Sequence, residues 1–350
     1  MSERKQTVDF EAKAREVLSK EPILSARDVE VTFSLRGNKL TAIRRTSLDL
    51  YEGETLAIVG ESGSGKSVFT KCFVGMLDKN GSITNGSILY DGKDLTRLTE
   101  KEWLQIRGKR IAMVTQDPMT SLNPLKTVGW QIQEAVELHQ GLRGRAAREE
   151  TYRILRAVGI AEPERRYRQY PHEFSGGMRQ RAMIAMALIC DPKLLIADEP
   201  TTALDVTIQA QILDLMKSIQ KKVGTAIIFI THNLGVVAEM CDRVSVMYAG
   251  KIVEQGTDED IFYRPAHPYT LGLLESMPRL DEDEHERLIP IEGTPVDLLN
   301  PPQGCHFGPR CSHCMKICLT KEPPYADLGD GHISACWLHF MGKERQEVTE

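Results

Sequence analysis

The sequence contains no apolar run close to the eighteen or so residues that a helix needs to span a bilayer. It also lacks a basic excess, because 44 lysines and arginines face 49 aspartates and glutamates and the formal net charge is −5. That balance argues against nonspecific nucleic-acid binding as the main activity. The start of the chain shows no apolar secretory signal. We therefore expect a protein that stays in the cytoplasm and has no nucleic-acid partner.

Length and composition are typical of a soluble globular protein. The 350 residues suggest about two domains and are ample for a packed core. Charged residues make up 27% of the chain and hydrophobic residues 41%, which are ordinary values for such a protein. The chain has no internal repeat, so each of its motifs occurs once.

The most informative segment fits the phosphate-binding pattern G-x-x-x-x-G-K-[ST] at every fixed position. It lies between a strand-like apolar run and a helix-like run, as this motif requires. Its glycines let backbone N–H groups surround phosphates, Lys66 would reach the outer phosphates, and Ser67 would ligate Mg²⁺. A Gly/Ser-rich turn that merely resembles the pattern is the alternative. The predicted nucleotide-binding residues of this loop are Gly60, Glu61, Ser62, Gly63, Ser64, Gly65, Lys66 and Ser67.

Three further apolar runs end in polar residues that would complete a nucleotide site. Buried parallel strands deliver such residues to their carboxyl ends, where ligands bind in open α/β sheets. Asp198 is expected to hold Mg²⁺, and Glu199 to polarise the water that attacks the γ-phosphate. His232 would donate to the γ-phosphate or to that water, although a surface histidine at a strand end is the alternative. Gln116 would complete the Mg²⁺ shell and sense the nucleotide.

A second anion-binding segment, Ser175-Gly176-Gly177, precedes a helical pattern. Helix N-termini bind anions, and a chain rarely needs two such sites for one nucleotide. The alternative is a helix cap without any ligand.

The order of these motifs along the chain closely resembles that of the ATP-binding-cassette (ABC) ATPases. The resemblance implies that two cassettes pack head to tail, so that the Ser-Gly-Gly segment of one covers the γ-phosphate bound by the other. Because this chain has one phosphate loop, two sites require a second chain. The residues that the resemblance places at this interface are Ser175, Gly176, Gly177 and Gln180 in the signature segment, and Ala203, Leu204 and Asp205 in the loop that links the two sites.

The resemblance also points to an aromatic residue near the start of the cassette that stacks on adenine. Phe33 is the best match, because an aromatic ring can stack on a base. A core phenylalanine at a strand end explains this residue equally well.

The expected fold class is α/β, a P-loop NTPase core of the ABC type. It combines a mixed sheet, a helical subdomain and a small antiparallel β part, followed by a Cys-rich C-terminal extension. We predict a polar N-terminal extension at residues 1–20 and a nucleotide-binding domain at 21–265. The helical subdomain is expected at about residues 125–187 and the C-terminal extension at 266–345.

The C-terminal sequence resembles the extension of the oligopeptide/dipeptide permease ATPases, D-type. The resemblance is carried by Tyr263 to Thr270, Ile291 to Pro295 and Pro301 to Cys305. It implies a peripheral subunit on the cytoplasmic face of the membrane that hydrolyses ATP to energise peptide transport. The implied partners are a homologous F-type ATPase subunit, two membrane permeases and an extracytoplasmic peptide-binding protein.

Five of the eight cysteines fall within the last part of the chain. In a reducing compartment such clustering favours a metal site over disulfides. The spacing of Cys311, Cys314 and Cys318 partly matches that of ferredoxins but lacks the leading thiol. The permease resemblance instead implies a [4Fe–4S] cluster on four thiolates, with Cys314 left spare. A Cys₄ zinc site and free thiols are the alternatives. The implied cluster ligands are Cys305, Cys311, Cys318 and Cys336.

A soluble ABC ATPase of DNA repair or cluster assembly, with a structural metal site, is the main alternative. Soluble ABC ATPases usually carry two cassettes in one chain, a basic face or long insertions, and none of these is seen in the sequence. Cluster-assembly ATPases have a single cassette but are not expected to carry the permease-type tail. A regulatory metal-binding protein with an inactive cassette is a third reading, and the intact Lys66, Asp198, Glu199 and His232 argue against it.

Overall fold

The structure is a computed structural model that describes residues 20–117, 121–201, 204–276 and 290–341. The predicted N-terminal extension, apart from Lys20, lies outside the described residues, as does Ala203. Within the described residues, no helix combines the length and the apolar character needed to cross a membrane.

An eight-stranded sheet forms the centre of the fold, in the order β11-β12-β10-β9-β3-β8-β7-β6. The strands β9, β3, β8, β7 and β6 pair in parallel, and β10, β12 and β11 continue the sheet in antiparallel pairs. The sheet is therefore mixed, as predicted. Its strands are β3 Thr55–Val59, β6 Ile111–Val114, β7 Leu194–Asp198, β8 Ala226–Ile230, β9 Arg243–Tyr248, β10 Lys251–Thr257, β11 Ala326–Gly329 and β12 His332–Ser334.

A separate antiparallel sheet of four strands corresponds to the predicted small β part. Its order is β2-β1-β4-β5. The strands are β1 Leu24–Leu35, β2 Asn38–Leu50, β4 Gly81–Tyr90 and β5 Lys93–Asp94. The long β1–β2 hairpin turns at Gly37, whose φ of 85° lies in the left-handed region that glycine adopts most easily.

Ten α-helices are described, and four of them begin between residues 125 and 187, where the structure describes every residue and none is in a strand. The boundaries of a helical subdomain there stay a prediction. The helices are α1 Lys66–Cys72, α2 Glu100–Ile106, α3 Val128–His139, α4 Gly144–Ala157, α5 Pro163–Arg166, α6 Gly176–Leu188, α7 Val206–Val223, α8 Leu234–Met240, α9 Asp258–Tyr263 and α10 Pro268–Glu275.

The large sheet separates two apolar cores. Because side chains alternate along a strand, Ala57 and Val59 of β3 pack in one core, whereas Leu56 and Ile58 pack in the other. All four side chains are buried. Complete burial of an aliphatic side chain stabilises the fold by about 1.5–3 kcal/mol. Coverage on both faces explains why these strands are continuous apolar runs rather than alternating ones.

The C-terminal region folds back onto the core sheet. Strand β12 pairs with β10, with Glu254 opposite Ser334, and β11 pairs with β12. The ring of Phe307 lies 5.4 Å from that of Tyr248 and 5.3 Å from that of Tyr269, measured between ring centroids. Part of the predicted extension is thus continuous with the nucleotide-binding core.

Candidate nucleotide-binding site

The predicted phosphate loop joins β3 to α1. Two of its glycines are required by the backbone. A Cβ on Gly60 would lie 2.2 Å from the Met247 carbonyl oxygen, and Gly65, which caps α1, has a φ of 104°. Only glycine meets both demands without strain. The local sequence therefore forces the chain into a tight curve at the carboxyl end of β3, where the N-terminus of α1 begins.

Lys66 lies inside this curve. Its Nζ donates hydrogen bonds of 2.8 Å to the backbone oxygens of Gly60 and Glu61. The side chain is buried, and this burial lowers the pKa of the ammonium group. The charge of Lys66 thus stands at the centre of a loop whose backbone amides are suited to phosphate oxygens.

Asp198 and Ser67 meet at the edge of the sheet. The Ser67 hydroxyl donates a hydrogen bond to the Asp198 carboxylate, which is buried at the end of β7. Burial raises the pKa of Asp198, the Ser67 bond lowers it, and nearby Glu199 raises it again. A hydroxyl and a carboxylate side by side form the oxygen donor set that Mg²⁺ prefers. These two residues therefore fit the metal that the sequence predicts.

Glu199 contacts the side chains of the two other predicted catalytic residues, Gln116 and His232. Its Oε2 accepts a hydrogen bond of 3.1 Å from the Gln116 amide, and its Oε1 lies 3.2 Å from His232 Nδ1. Its φ of 48° is unusual for a non-glycine residue. The backbone N–H of Glu199 donates to the Ile230 oxygen at 2.9 Å, which holds this conformation. A carboxylate held in this way can accept a proton from water at a fixed position.

One pocket of about 600 Å³ contains these groups, a size typical of small-molecule sites. Phe33, the candidate adenine-stacking residue, contributes to its wall from β1. Leu298, from the C-terminal region, lines it too. No sequence signal pointed to Leu298, because it lies more than 200 residues from the phosphate loop. The predicted residues that line the pocket are Phe33, Gly60, Ser62, Gly63, Gly65, Lys66, Ser67, Gln116, Asp198, Glu199 and His232.

The signature segment lies outside this pocket. Ser175 caps α6 by accepting a hydrogen bond of 3.3 Å from the Met178 N–H, and Ser175 and Gly176 are exposed to solvent. Gln180 differs from the expectation for an interface residue, because it is buried and its amide donates to the Glu199 carbonyl oxygen at 3.2 Å. It faces its own chain because it lies five residues beyond the Ser175 cap, which at 3.6 residues per turn places it about 140° around the helix from that cap.

The linking loop is described in part. Leu204 is half-buried, and Asp205 accepts a hydrogen bond of 3.0 Å from the Ile208 N–H at the start of α7. This is the usual role of an N-cap aspartate.

The C-terminal cysteines surround a second, smaller pocket. Cys305, Cys311, Cys318 and Cys336 line it, whereas Cys314 is exposed and does not. Burial raises the pKa of both Cys305 and Cys311 to about 11. Across the part of the chain that the structure describes, no three His, Cys, Asp or Glu side chains are grouped so as to hold a metal ion. The predicted metal site therefore has no support from ligand geometry.

Comparison with known proteins places this geometry in a family. Residues 43–202 match the family described as ABC transporter, and residues 253–318 match the one described as oligopeptide/dipeptide transporter, C-terminal region. The dipeptide transport ATP-binding protein DppD of Bacillus subtilis is 55% identical over 94% of this chain and 98% of its own length. The oligopeptide transport ATP-binding protein OppD of Salmonella typhimurium is 51% identical over 90% and 93%.

This chain belongs to the ATP-binding subunits of the oligopeptide/dipeptide ABC transporters. The resemblance seen in the sequence is therefore confirmed, and the alternative of a soluble ABC ATPase is not favoured. Family membership makes the chain an ATPase whose hydrolysis is coupled to transport.

Solved structures agree with the fold. A dimeric ATP-binding cassette in a post-hydrolysis state with ADP and Pi matches with a TM-score of 0.62 at 26% identity, over 67% of this chain and 98% of that one. The cbiO1 protein of Clostridium perfringens, part of an ABC transporter complex, matches with a TM-score of 0.58 at 28% identity, over 70% and 93%. The P-loop ABC ATPase fold is thereby confirmed.

Proposed function

We propose that this chain binds ATP on the phosphate loop and hydrolyses it to drive the import of oligopeptides or dipeptides through partner membrane subunits. The peptide class is supported by relatives named for oligopeptide or dipeptide transport that match almost their whole length. The observation that carries the proposal is the convergence of Lys66, Ser67, Asp198 and Glu199 on one pocket at the carboxyl edge of the sheet.

Mg²⁺ would be held by the Ser67 hydroxyl and the Asp198 carboxylate, with the Gln116 amide oxygen as a third donor. The bond between Ser67 and Asp198 supports the first two. A bound Mg²⁺ neutralises charge on the phosphate oxygens. The side-chain nitrogen of Gln116 donates to Glu199, so the side-chain oxygen of Gln116 would be its donor to the metal.

Glu199 acts as the general base. Its carboxylate accepts the proton of the water that attacks the γ-phosphate, while Lys66 and the loop amides stabilise the charge on the phosphate oxygens. His232 positions Glu199 or the water through its imidazole, which already lies 3.2 Å from the carboxylate. Two side chains on one carboxylate restrict its rotation, and this favours a single direction of proton transfer.

The complete site needs a second cassette. Ser175 and Gly176 are exposed at the N-terminus of α6 and away from their own phosphate loop, so they are free to cover the nucleotide of a neighbour. We infer that this neighbour is a homologous F-type subunit and that the pair works with two permeases and an extracytoplasmic peptide-binding protein. The pair would lie peripherally on the cytoplasmic face of the membrane.

The cysteine pocket is proposed to hold a [4Fe–4S] cluster. Support comes from the donor set, since the four cysteines with the family spacing line one pocket and the spare Cys314 does not. Four thiolates are the ligands that such a cluster requires. Its contribution would be to fix a region that consists mainly of loops and short turns. Zinc on the same thiolates remains the alternative.

The test of the catalytic assignment is Glu199→Gln in the assembled complex. The amide keeps the shape of the side chain but cannot accept a proton, so steady-state hydrolysis should fall at least about 100-fold while ATP binding is retained. Glu134→Gln, at an exposed position of α3, is the matched control and should hydrolyse ATP normally. Near-normal turnover of Glu199→Gln would rule out the proposed general base.

A further inference from the structure

Arg310 connects the C-terminal region to the phosphate loop. Its Nη1 and Nη2 donate to the two carboxylate oxygens of Glu61, at 2.6 and 2.9 Å. Glu61 is the second residue of the phosphate loop. The Arg310 side chain is only 4% exposed. A buried guanidinium bonded to both oxygens of a carboxylate fixes its direction as well as its distance, which a single contact does not do.

The same guanidinium also binds the segment at residues 291–298. Its Nε donates to the Glu292 carbonyl oxygen at 2.9 Å, and its Nη2 donates to the Ile291 carbonyl oxygen at 3.3 Å. One side chain thus joins the Glu61 carboxylate to backbone carbonyls that lie more than 200 residues away in sequence. Lysine, with a single nitrogen, cannot hold both the carboxylate and the two carbonyls in this geometry.

The segment at residues 291–298 lies beside the nucleotide pocket. Pro295, Val296 and Leu298 line a small pocket together with residues 61–64 of the phosphate loop. Leu298 reaches further and lines the nucleotide pocket itself. It is half-buried, whereas its neighbour Leu299 is 44% exposed and lines neither pocket.

Tyr269 fixes the same loop residue from another side. Its hydroxyl accepts a hydrogen bond of 2.8 Å from the Glu61 N–H. Tyr269 is fully buried, and its ring packs 4.7 Å from that of Tyr248, measured between centroids. Both the backbone and the side chain of Glu61 are therefore held by residues outside the phosphate-binding motif.

We propose that Arg310 is a positioning residue for the nucleotide: it holds residues 291–298 against the phosphate loop, so that Leu298 forms part of the wall of the ATP pocket. The proposal rests on ATP binding at residues 60–67. Arg310 would act on nucleotide affinity rather than on the chemical step. Its hydrogen bonds go to Glu61 and not to Glu199, nor to the Gln116 and His232 side chains that contact Glu199. ATP and ADP should depend on it alike.

The experiment measures binding of ATP and of ADP to the full-length chain by titration calorimetry, and the ATPase kinetics of the assembled complex. Arg310→Gln should weaken the binding of both nucleotides about tenfold or more, because the charge-assisted contact with Glu61 is lost. The affinity of Arg310→Lys for both nucleotides should lie between that of Arg310→Gln and that of the unchanged chain. In the complex, KM for ATP should rise by a similar factor, while kcat stays within about twofold.

Leu298→Ala provides a second test that does not remove a buried charge. It should weaken both nucleotides by about threefold to tenfold, because apolar contact area with the ligand is lost. Leu299→Ala is the matched control and should bind normally. If Arg310→Gln fails to fold, the comparison of Leu298→Ala with Leu299→Ala still decides the matter.

Normal affinity of both Leu298→Ala and Arg310→Gln, with only a lower melting temperature, would overturn the proposal and leave Arg310 a structural brace. A fall in kcat with unchanged KM would overturn it as well. Lys66→Ala separates this inference from the proposed function. Lost binding in Lys66→Ala with normal binding in the other variants would refute the role of Arg310 alone, whereas normal binding in Lys66→Ala would place the nucleotide elsewhere and refute both.

Discussion

The side-chain amide of Gln180 donates a hydrogen bond to the backbone carbonyl of Glu199. It connects the helix that begins at the exposed Ser175 cap to the residue proposed as general base. Glu199 has a left-handed backbone conformation that costs on the order of 1–3 kcal/mol unless its surroundings hold it. Gln180 is one of the groups that hold it. A displacement of α6 at the contact between two cassettes would therefore act on the backbone of the proposed general base.

Gln180→Leu should lower ATP hydrolysis by the complex about tenfold while leaving ATP binding nearly unchanged. The substitution keeps the volume of the side chain but removes the donor, so Glu199 loses a support and not a ligand contact. Steady-state ATPase rates and calorimetric ATP binding measure the two effects. Gln105→Leu, at an exposed position of α2, should change neither. A normal rate in Gln180→Leu would show that this bond does not position the carboxylate.

Ser175→Arg should leave nucleotide binding to the chain's own phosphate loop intact, because Ser175 does not line that pocket. Hydrolysis at the site completed by its neighbour should fall about tenfold or more, since a bulky side chain blocks the amides at the helix N-terminus. ATPase assays on the assembled complex measure the loss. An isolated chain that hydrolyses ATP at the full rate of the complex would contradict the shared site.

The cysteine prediction concerns metal content. Anaerobically purified protein should be brown and contain about four iron and four sulfide per chain. Serine at Cys305, Cys311, Cys318 or Cys336 should deplete the iron, and Cys314→Ser, the matched control, should not. Colourless protein with stoichiometric zinc would select the alternative metal. Iron lost in Cys314→Ser but kept in Cys318→Ser would show that the ligand set is misassigned.

Most residues of the nucleotide pocket can be predicted from the sequence because each belongs to a local sequence motif. An apolar run that ends in Asp198 and Glu199 places both residues at a sheet edge wherever the strand lies, and Gly60 and Gly65 mark a backbone that only glycine adopts. The parallel strands then bring those ends together.

The contribution of the C-terminal region to the nucleotide pocket could not be predicted from the sequence, because it depends on contacts between residues that are distant in sequence. Nothing near Arg310 in the sequence names Glu61 as its partner, and Leu298 is one leucine among many. Short strands such as His332–Ser334 carry too few residues to show a period. For Gln180, the motif predicts that the residue lies on a helix, but it does not predict that the side chain is buried against its own chain.

Peptide uptake tests the central claim most directly. The complex is reconstituted into proteoliposomes with ATP and Mg²⁺ inside, and binding protein with labelled peptide outside. We predict that peptide accumulates only when ATP is inside, and that uptake is lost when this chain carries Glu199→Gln but retained with Glu134→Gln. Undiminished uptake by complexes that contain Glu199→Gln would contradict the claim that ATP hydrolysis by this chain drives import.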